Sequence, residues 1–289
     1  MKRNKAIALF IRRLFDKTAP KPPADLMTTS VQMISNISYG KERETILDLY
    51  IPKRAGSYPL IVWVHGGGFV GGDKGDTMHF ARAIAKHGYA VASINYTRAP
   101  EAKYPTPILQ TDLAYDFLIN EDYQGKDKID TKQLFLAGDS AGAHIAMQYA
   151  LQQPKGTLKG VLLYCGLYMV EEMENIRSRI LRLMLRHAQL AYFGAKDFTK
   201  HEILPELDIL GQVTKDFPPT FITDGNLFSF QEQGKALSNR LVEVGVAVTP
   251  LFFGKNSKTR HEYQFYLKQK EARQALDETI TFLEKHAYK

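Results

Sequence analysis

The stretch LFLAGDSAGAHIAM, residues 134–147, constrains the fold more than any other part of this chain. It joins an apolar run to an amphipathic helical pattern through Gly-x-Ser-x-Gly at residues 138–142. So tight a turn between a strand and a helix needs glycines where side chains would clash. We therefore expect a strand–turn–helix unit that exposes Ser140 as a nucleophile at the carboxyl end of the strand.

The rest of the chain alternates strand-like and helix-like segments. VQMISNISYG (31–40) and TILDLYIP (45–52) read as an antiparallel pair, and PLIVWVHGG (59–67) reads as a central strand that is buried on both faces. Strands that alternate with helices predict an α/β fold with a mostly parallel sheet of about eight strands and helices on both faces. A chain of 289 residues can form one such unit.

Residues 171–214 are too many for a simple connection between strands. Their first half alternates apolar and arginine positions in a helical pattern, with glutamates in the expected first turn. We interpret them as a helical cap over the active edge of the sheet. The chain then divides into an N-terminal segment, residues 1–25, and an α/β domain, residues 26–289, that includes the cap.

The positive charge is concentrated in the N-terminal segment. The chain has a formal net charge of +7, and residues 1–21 hold seven lysines and arginines against one aspartate. The remainder is therefore close to neutral. Since a nucleic-acid-binding domain is expected to carry a basic patch on its folded body, we predict no nucleic-acid partner.

The same segment has an apolar stripe with the period of an amphipathic helix. Its members are Ile7, Phe10, Ile11, Leu14 and Phe15. A helix packed on the body explains this stripe, while weak contact of residues 1–18 with a membrane surface and a signal peptide are the alternatives. No apolar run approaches the ~18 residues that a transmembrane helix needs.

One cysteine, Cys165, rules out an intramolecular disulfide. This usage fits a reducing compartment, and we expect a cytoplasmic location.

A glycine-rich stretch, VHGGGFVGG, follows the predicted central strand at residues 64–72. Attack by Ser140 on a carbonyl would create an oxyanion, which needs hydrogen-bond donors aimed at the developing charge. We assign these donors to the backbone N–H groups of Gly67, Gly68 and Ala141. His65 would orient the loop.

His261 is the candidate base, because it lies between the last predicted strand and the final helix. The order serine, acid, histidine is the one found in α/β hydrolases. We expect His144 to face a packing surface. Since the chain has no H-E-x-x-H or C-x-x-C pattern, we predict no catalytic metal.

Four motifs together resemble a known family: HGGGF (65–69), YTRAPE (96–101), GDSAG (138–142) and HEYQF (261–265). They are similar to the HGGG-type branch of α/β hydrolases, which includes hormone-sensitive-lipase-like esterases and acetyl- or feruloyl-esterase-like enzymes. The resemblance runs from about residue 40 to 286. It implies an α/β-hydrolase fold and a cofactor-free carboxylic ester hydrolase with a helical cap. YTRAPE departs from the family's Y-R-x-A-P-E.

The resemblance leaves the catalytic acid open. In the family, the loop after the relevant strand reads like G-N-x-D-P-L, and its aspartate is the triad acid. Here Gly225 and Asn226 match, but Phe228 occupies the position of the aspartate. A phenylalanine cannot accept a hydrogen bond from the imidazole.

Three carboxylates could replace this aspartate: Asp224 at the strand end, Glu232 in the following helix, and Glu262 beside the candidate base. Of these we favour Asp224, with Glu232 as the alternative. A site without a carboxylate, in which Asn226 or Ser229 orients His261, stays open.

Two functions follow from these residues. The first is a serine carboxylesterase that hydrolyses small or short-acyl esters through an acyl-enzyme intermediate. The alternative, motivated by Phe228, is a non-catalytic or weakly active small-molecule-binding protein on a hydrolase fold.

Overall fold

The computed structural model describes residues 2–15, 20–26, 29–170, 179–194 and 203–288. These residues contain one eight-stranded sheet. Its strands are β1 (Val31–Ser38), β2 (Ile46–Pro52), β3 (Tyr58–Val64), β4 (Ala90–Ile94), β5 (Ile129–Asp139), β6 (Gly160–Tyr164), β7 (Thr220–Asp224) and β8 (Val248–Phe252).

The strand order across the sheet is β1-β2-β4-β3-β5-β6-β7-β8. Strand β2 is antiparallel to β1 and to β4, and all other neighbours are parallel. The predicted fold class, a mostly parallel sheet of about eight strands, is therefore confirmed. Because β3, β5 and β7 run in the same direction, the loops after them meet at one edge of the sheet.

Helices cover both faces of the sheet. They are α1 (Lys2–Phe15), α2 (Met78–Lys86), α3 (Thr106–Asn120), α4 (Ala141–Leu151), α5 (Arg179–Phe193), α6 (Leu204–Leu207), α7 (Ile209–Gln212), α8 (Gln231–Glu243) and α9 (Lys270–His286). On β3, Leu60 and Val62 pack into one core with α3, α4 and α8, while Ile61 and Trp63 pack into another with α2 and α9. This division follows from the two-residue period of side chains along a strand.

Helix α1 packs against α5, which belongs to the predicted cap. Ala8 and Ile11 are buried in this contact, whereas Phe10 is exposed. Parts of the predicted cap, residues 171–178 and 195–202, lie outside the described residues, as do the side chains of Leu14 and Phe15. The division into an N-terminal segment, a domain and a cap stays a prediction. No helix in the described ranges is long and apolar enough to cross a membrane.

Candidate active site

Ser140 stands at a strained turn between β5 and α4. Its φ and ψ are 51° and −119°, an unfavourable region for a residue with a side chain, and such strain is found at functional sites. Its N–H donates to Tyr164 O at 2.9 Å, which anchors the turn to β6. A Cβ at Gly142 would lie 2.1 Å from Val64 O, so the close approach of α4 to β3 requires glycine there.

The imidazole of His261 lies beside Ser140. Its Nε2 is 3.0 Å from Ser140 Oγ, which is hydrogen-bond distance. The loop after β8 carries His261 to this edge, and the His261 N–H donates to Leu227 O at 3.1 Å. The ring of Phe230 contacts the imidazole edge to face, with centroids 5.1 Å apart. The structure therefore brings together the two side chains that the sequence analysis proposed as nucleophile and base.

Asp224, the last residue of β7, faces the other nitrogen of this imidazole. Its Oδ1 lies 3.7 Å from His261 Nδ1, an ion-pair separation that is longer than a hydrogen bond. The carboxylate is buried and accepts the N–H groups of Gly225 at 2.7 Å and Phe230 at 2.8 Å. These two donors stabilise a negative charge on Asp224 and fix its direction.

The surroundings of His261 favour its protonated form. Burial lowers the pKa of the imidazole, but the Asp224 carboxylate raises it, and the charges of Glu262 and Asp139 add to that effect. The net result is a pKa above the ordinary histidine value. An imidazolium formed during a reaction at this position is therefore stabilised.

The other carboxylates considered from the sequence lie differently. Glu232 is in the first turn of α8, and its side chain is 86% exposed and paired with Lys235 at 2.9 Å. Glu262 contributes its N–H to Cys165 Sγ at 3.2 Å. Among these three carboxylates, only Asp224 forms an ion pair with His261 in the described part of the chain.

The polar residues considered as substitutes for an acid are engaged with the backbone. Asn226 Oδ1 accepts the N–H of Thr259 at 2.9 Å, and Ser229 donates to Gly225 O at 2.7 Å. Phe228 has φ 50° and is 70% exposed at the outside of the turn. Hydrogen bonds to the backbone therefore hold the loop, while the side chain at position 228 is exposed to solvent.

The loop of residues 65–72, which we name the oxyanion loop after the role proposed for it, turns back on itself after β3. The N–H groups of Val70 and Gly71 both donate to Gly67 O, at 3.2 and 2.9 Å. Gly67 has φ 112°, and a Cβ there would lie 2.2 Å from Gly71 O. Within the described residues, the N–H groups of Gly67, Gly68 and Ala141 donate to no protein acceptor, which leaves them available for a ligand oxygen.

His65, the first residue of this loop, is buried. Its Nδ1 donates to Gly66 O at 2.7 Å, and its ring stacks on Tyr96 with centroids 4.6 Å apart. Burial lowers the pKa of His65 to about 4. The imidazole is therefore neutral at pH 7 and suited to holding the loop, as the sequence analysis expected.

Asp139 connects the serine turn to the oxyanion loop. It accepts Trp63 Nε1–H at 2.7 Å and the Gly66 N–H at 2.9 Å. Burial raises the pKa of this carboxyl, and the charge of Glu262 raises it further. Sequence reasoning missed this role, although an acid directly before the nucleophile was visible in GDSAG.

Cys165, at the end of β6, lies beside the Asp224–His261 pair. The Sγ atom and one ligand atom from each of the other two residues all lie within 4.8 Å of one another. Burial raises the pKa of the thiol, and the Asp224 charge raises it further, so Cys165 stays protonated. These three side chains are close enough to share a cation only if the thiol loses its proton. A search for local metal motifs does not find them, because they are far apart in sequence.

Aromatic side chains from α5 reach the oxyanion loop. Phe69 stacks on Tyr192 with centroids 4.2 Å apart, and Phe193 lies against both. His144 meets Phe69 edge to face and contacts Leu167 O through Nδ1 at 3.1 Å. Burial lowers the pKa of His144 to about 4, and it lies in the core as expected.

Comparisons with known proteins agree with the observed fold. A family model described as the alpha/beta hydrolase fold matches residues 61–258. A probable isoprenylcysteine alpha-carbonyl methylesterase of Oryza sativa subsp. japonica is 34% identical over 127 residues, which are 43% of this chain and 29% of the rice protein. An acetyl esterase of Salmonella schwarzengrund is 25% identical over 245 residues, covering 81% of this chain and 72% of that protein.

The chain thus spans less than a third of the length of the rice relative. Among solved structures, esterase B from Lactobacillus Rhamnosis superposes with a TM-score of 0.77 at 20% identity, covering 99% of this chain and 97% of that one. This likeness shows a shared fold.

Proposed function

The chain belongs to the alpha/beta hydrolase fold family, and from this premise we propose that it is a serine carboxylesterase acting on small, short-acyl esters. The observation that carries the proposal is the 3.0 Å contact between His261 Nε2 and Ser140 Oγ at a strained strand–helix turn. A serine is a weak nucleophile by itself, and an adjacent base activates it.

Acylation begins when Ser140 Oγ attacks the carbonyl carbon of the ester and His261 Nε2 takes the hydroxyl proton. The negative charge moves to the carbonyl oxygen. The N–H groups of Gly67, Gly68 and Ala141 stabilise that oxygen. Across the ring, Asp224 stabilises the imidazolium at 3.7 Å.

The tetrahedral intermediate then collapses. The bond from carbon to the alcohol oxygen breaks, His261 returns its proton to that oxygen, and the acyl group remains on Ser140. In the second half, His261 takes a proton from a water molecule as that water attacks the acyl-enzyme. The carboxylic acid leaves, and Ser140 regains its proton.

The preference for small acyl groups is supported by two observations. Phe69, Tyr192 and Phe193 pack tightly together where α5 meets the oxyanion loop. One relative of this chain is named an acetyl esterase. A cytoplasmic location is part of the proposal, and the buried, unpaired state of Cys165 supports it.

The test is hydrolysis of p-nitrophenyl acetate and p-nitrophenyl butyrate by the wild type and by Ser140→Ala. We expect hydrolysis that depends on Ser140 and is faster with the acetate or butyrate ester than with a long-chain ester. Equal rates for the two proteins would refute the proposal.

A fluorophosphonate probe separates this enzyme from a binding protein that has lost turnover, because labelling requires an activated serine. We expect rapid labelling at Ser140 and none in Ser140→Ala. A wild-type protein that binds esters but resists the probe would favour the binding function.

A further inference from the structure

We propose that Arg12, on the N-terminal helix α1, is a positioning residue that holds the oxyanion loop in its working shape. This inference rests on the proposed function and extends it to a helix outside the sheet. It assigns the basic N-terminal segment a role in turnover rather than in solubility or targeting.

The guanidinium of Arg12 bridges two segments of the active-site wall. Its Nε donates to Val70 O at 2.5 Å, and its Nη2 donates to Ala99 O at 2.7 Å. The same Nη2 also pairs with Glu101 Oε2 at 2.5 Å. The planar fork of an arginine suits such a bridge, whereas a lysine ammonium on a flexible stem does not.

Val70 is directly coupled to the proposed oxyanion donors. Its N–H closes the turn on Gly67 O at 3.2 Å, so a shift of Val70 moves the peptide unit that joins the Gly67 carbonyl to the Gly68 N–H. Gly67, Gly68 and Phe69 all have positive φ, and for Phe69 this conformation is strained. A strained turn persists only when its surroundings hold it.

The second segment, residues 98–101, supports the loop from outside. The Ala99 N–H donates to Phe69 O at 2.9 Å, and Arg98 Nη1 donates to Gly72 O at 2.7 Å. Arg98 therefore fixes the far end of the loop while Arg12 fixes its middle. Together with Ala99, the two arginines engage three consecutive parts of the loop: residues 69, 70 and 72.

Helix α1 delivers Arg12 in a fixed position. Ala8 and Ile11, one turn before and directly before it, are buried, and the Arg12 side chain is only 18% exposed. The neighbouring Arg13 is exposed. The two arginines thus carry the same charge on the same helix, and only one of them contacts the loop through the bonds described above.

The experiment compares Arg12→Ala with Arg13→Ala in the full chain, using p-nitrophenyl acetate. A small displacement of catalytic donors can reduce turnover up to about 100-fold. For Arg12→Ala we expect kcat to fall roughly 10- to 100-fold, with KM changed less than about threefold and the pH profile of kcat/KM unshifted. Arg13→Ala should keep the wild-type kcat.

Two further readouts separate positioning from a general structural role. Inhibition by trifluoroacetone, which forms an oxyanion when Ser140 adds to it, should weaken in proportion to the loss of kcat. Added methylguanidinium should restore part of the kcat of Arg12→Ala and leave Arg13→Ala unchanged. If Arg12→Ala does not fold, Arg12→Lys provides the same comparison, since an ammonium cannot bridge both carbonyls and Glu101.

The inference is overturned if Arg12→Ala keeps a kcat within twofold of wild type, or if Arg13→Ala loses as much activity. It is also overturned if kcat falls without a parallel loss of trifluoroacetone affinity. In each of these cases Ser140-dependent hydrolysis by the wild type would leave the proposed function intact. Equal hydrolysis by the wild type and Ser140→Ala would instead refute both.

Discussion

Replacing Asp224 with asparagine tests the acid of the proposed triad. The substitution keeps the size of the side chain and removes its charge. At the separation of 3.7 Å from His261 Nδ1 and with an effective dielectric constant near 20, the lost attraction to an imidazolium is about 4.5 kcal/mol. That energy corresponds to a decrease of roughly 10³-fold in kcat. Exchange of acid for amide in a serine protease triad costs about 10⁴-fold.

The same substitution affects stability and pH dependence. Asp224 accepts two backbone N–H groups, from Gly225 and Phe230, whereas asparagine has a single acceptor oxygen. One buried N–H then lacks a partner, which costs about 1–3 kcal/mol in the free energy of unfolding. Since Asp224 raises the pKa of His261, its removal should move the acid limb of kcat/KM to lower pH. Because folding raises the pKa of His261, its protonation stabilises the folded state at a pH below the ordinary histidine pKa, and this stabilisation is lost as the pH rises through the raised pKa. In Asp224→Asn that stabilisation should be smaller.

The assay is the pH profile of p-nitrophenyl acetate hydrolysis, accompanied by urea unfolding of each variant. Glu232→Gln is the matched control, because it also exchanges acid for amide but lies on the exposed side of α8. We expect it to keep wild-type kcat and the wild-type acid limb. If Asp224→Asn keeps more than a tenth of the kcat with an unshifted limb, or if Glu232→Gln loses as much, the assignment of the acid is wrong.

Two other substitutions examine the surroundings of the site. Glu262→Gln should move the acid limb of kcat/KM to lower pH, but by less than Asp224→Asn does, because the Glu262 charge is a smaller cause of the raised pKa of His261. A shift of the acid limb to higher pH would contradict this. Gly67→Ala should reduce kcat more than tenfold, since its Cβ would meet Gly71 O at 2.2 Å. Gly245→Ala is its control, because it has a similar positive φ of 89° with no atom within 4 Å of the added Cβ. Gly245→Ala should lose about 1 kcal/mol of stability in thermal unfolding from its positive φ alone, and Gly67→Ala should lose more because the backbone clash adds to that strain. Equal losses of kcat would show that the clash at Gly67 is irrelevant.

The sequence alone predicted those features that depend on local geometry. The turn in LFLAGDSAGAHIAM needs glycines next to a buried strand, and that requirement identifies Ser140 whatever surrounds it. The alternation of strands and helices predicts the parallel sheet, because a parallel pair requires a crossover. Chain order then selects His261, since it lies between the last strand of that sheet and the final helix.

Only the tertiary structure placed a carboxylate beside His261. The loop motif left the choice of the acid open, because Phe228 stands where the family has an aspartate, although Asp224 was the favoured candidate. Asp224 reaches the imidazole because β7 and β8 are adjacent and parallel, so their carboxyl ends bring residues 224 and 261 together. The number of residues between positions 224 and 261 does not indicate how close the two side chains lie in the fold.

The contacts that shape the oxyanion loop could not be predicted from the sequence either. Arg12 meets Val70 across 58 residues, and Trp63 meets Asp139 across 76. Each pair depends on how a helix or strand docks onto the others, and docking is decided by long-range packing of buried side chains. The sequence therefore identified the proposed nucleophile Ser140 and its proposed base His261 through local and topological rules, while packing decided what surrounds and orients them.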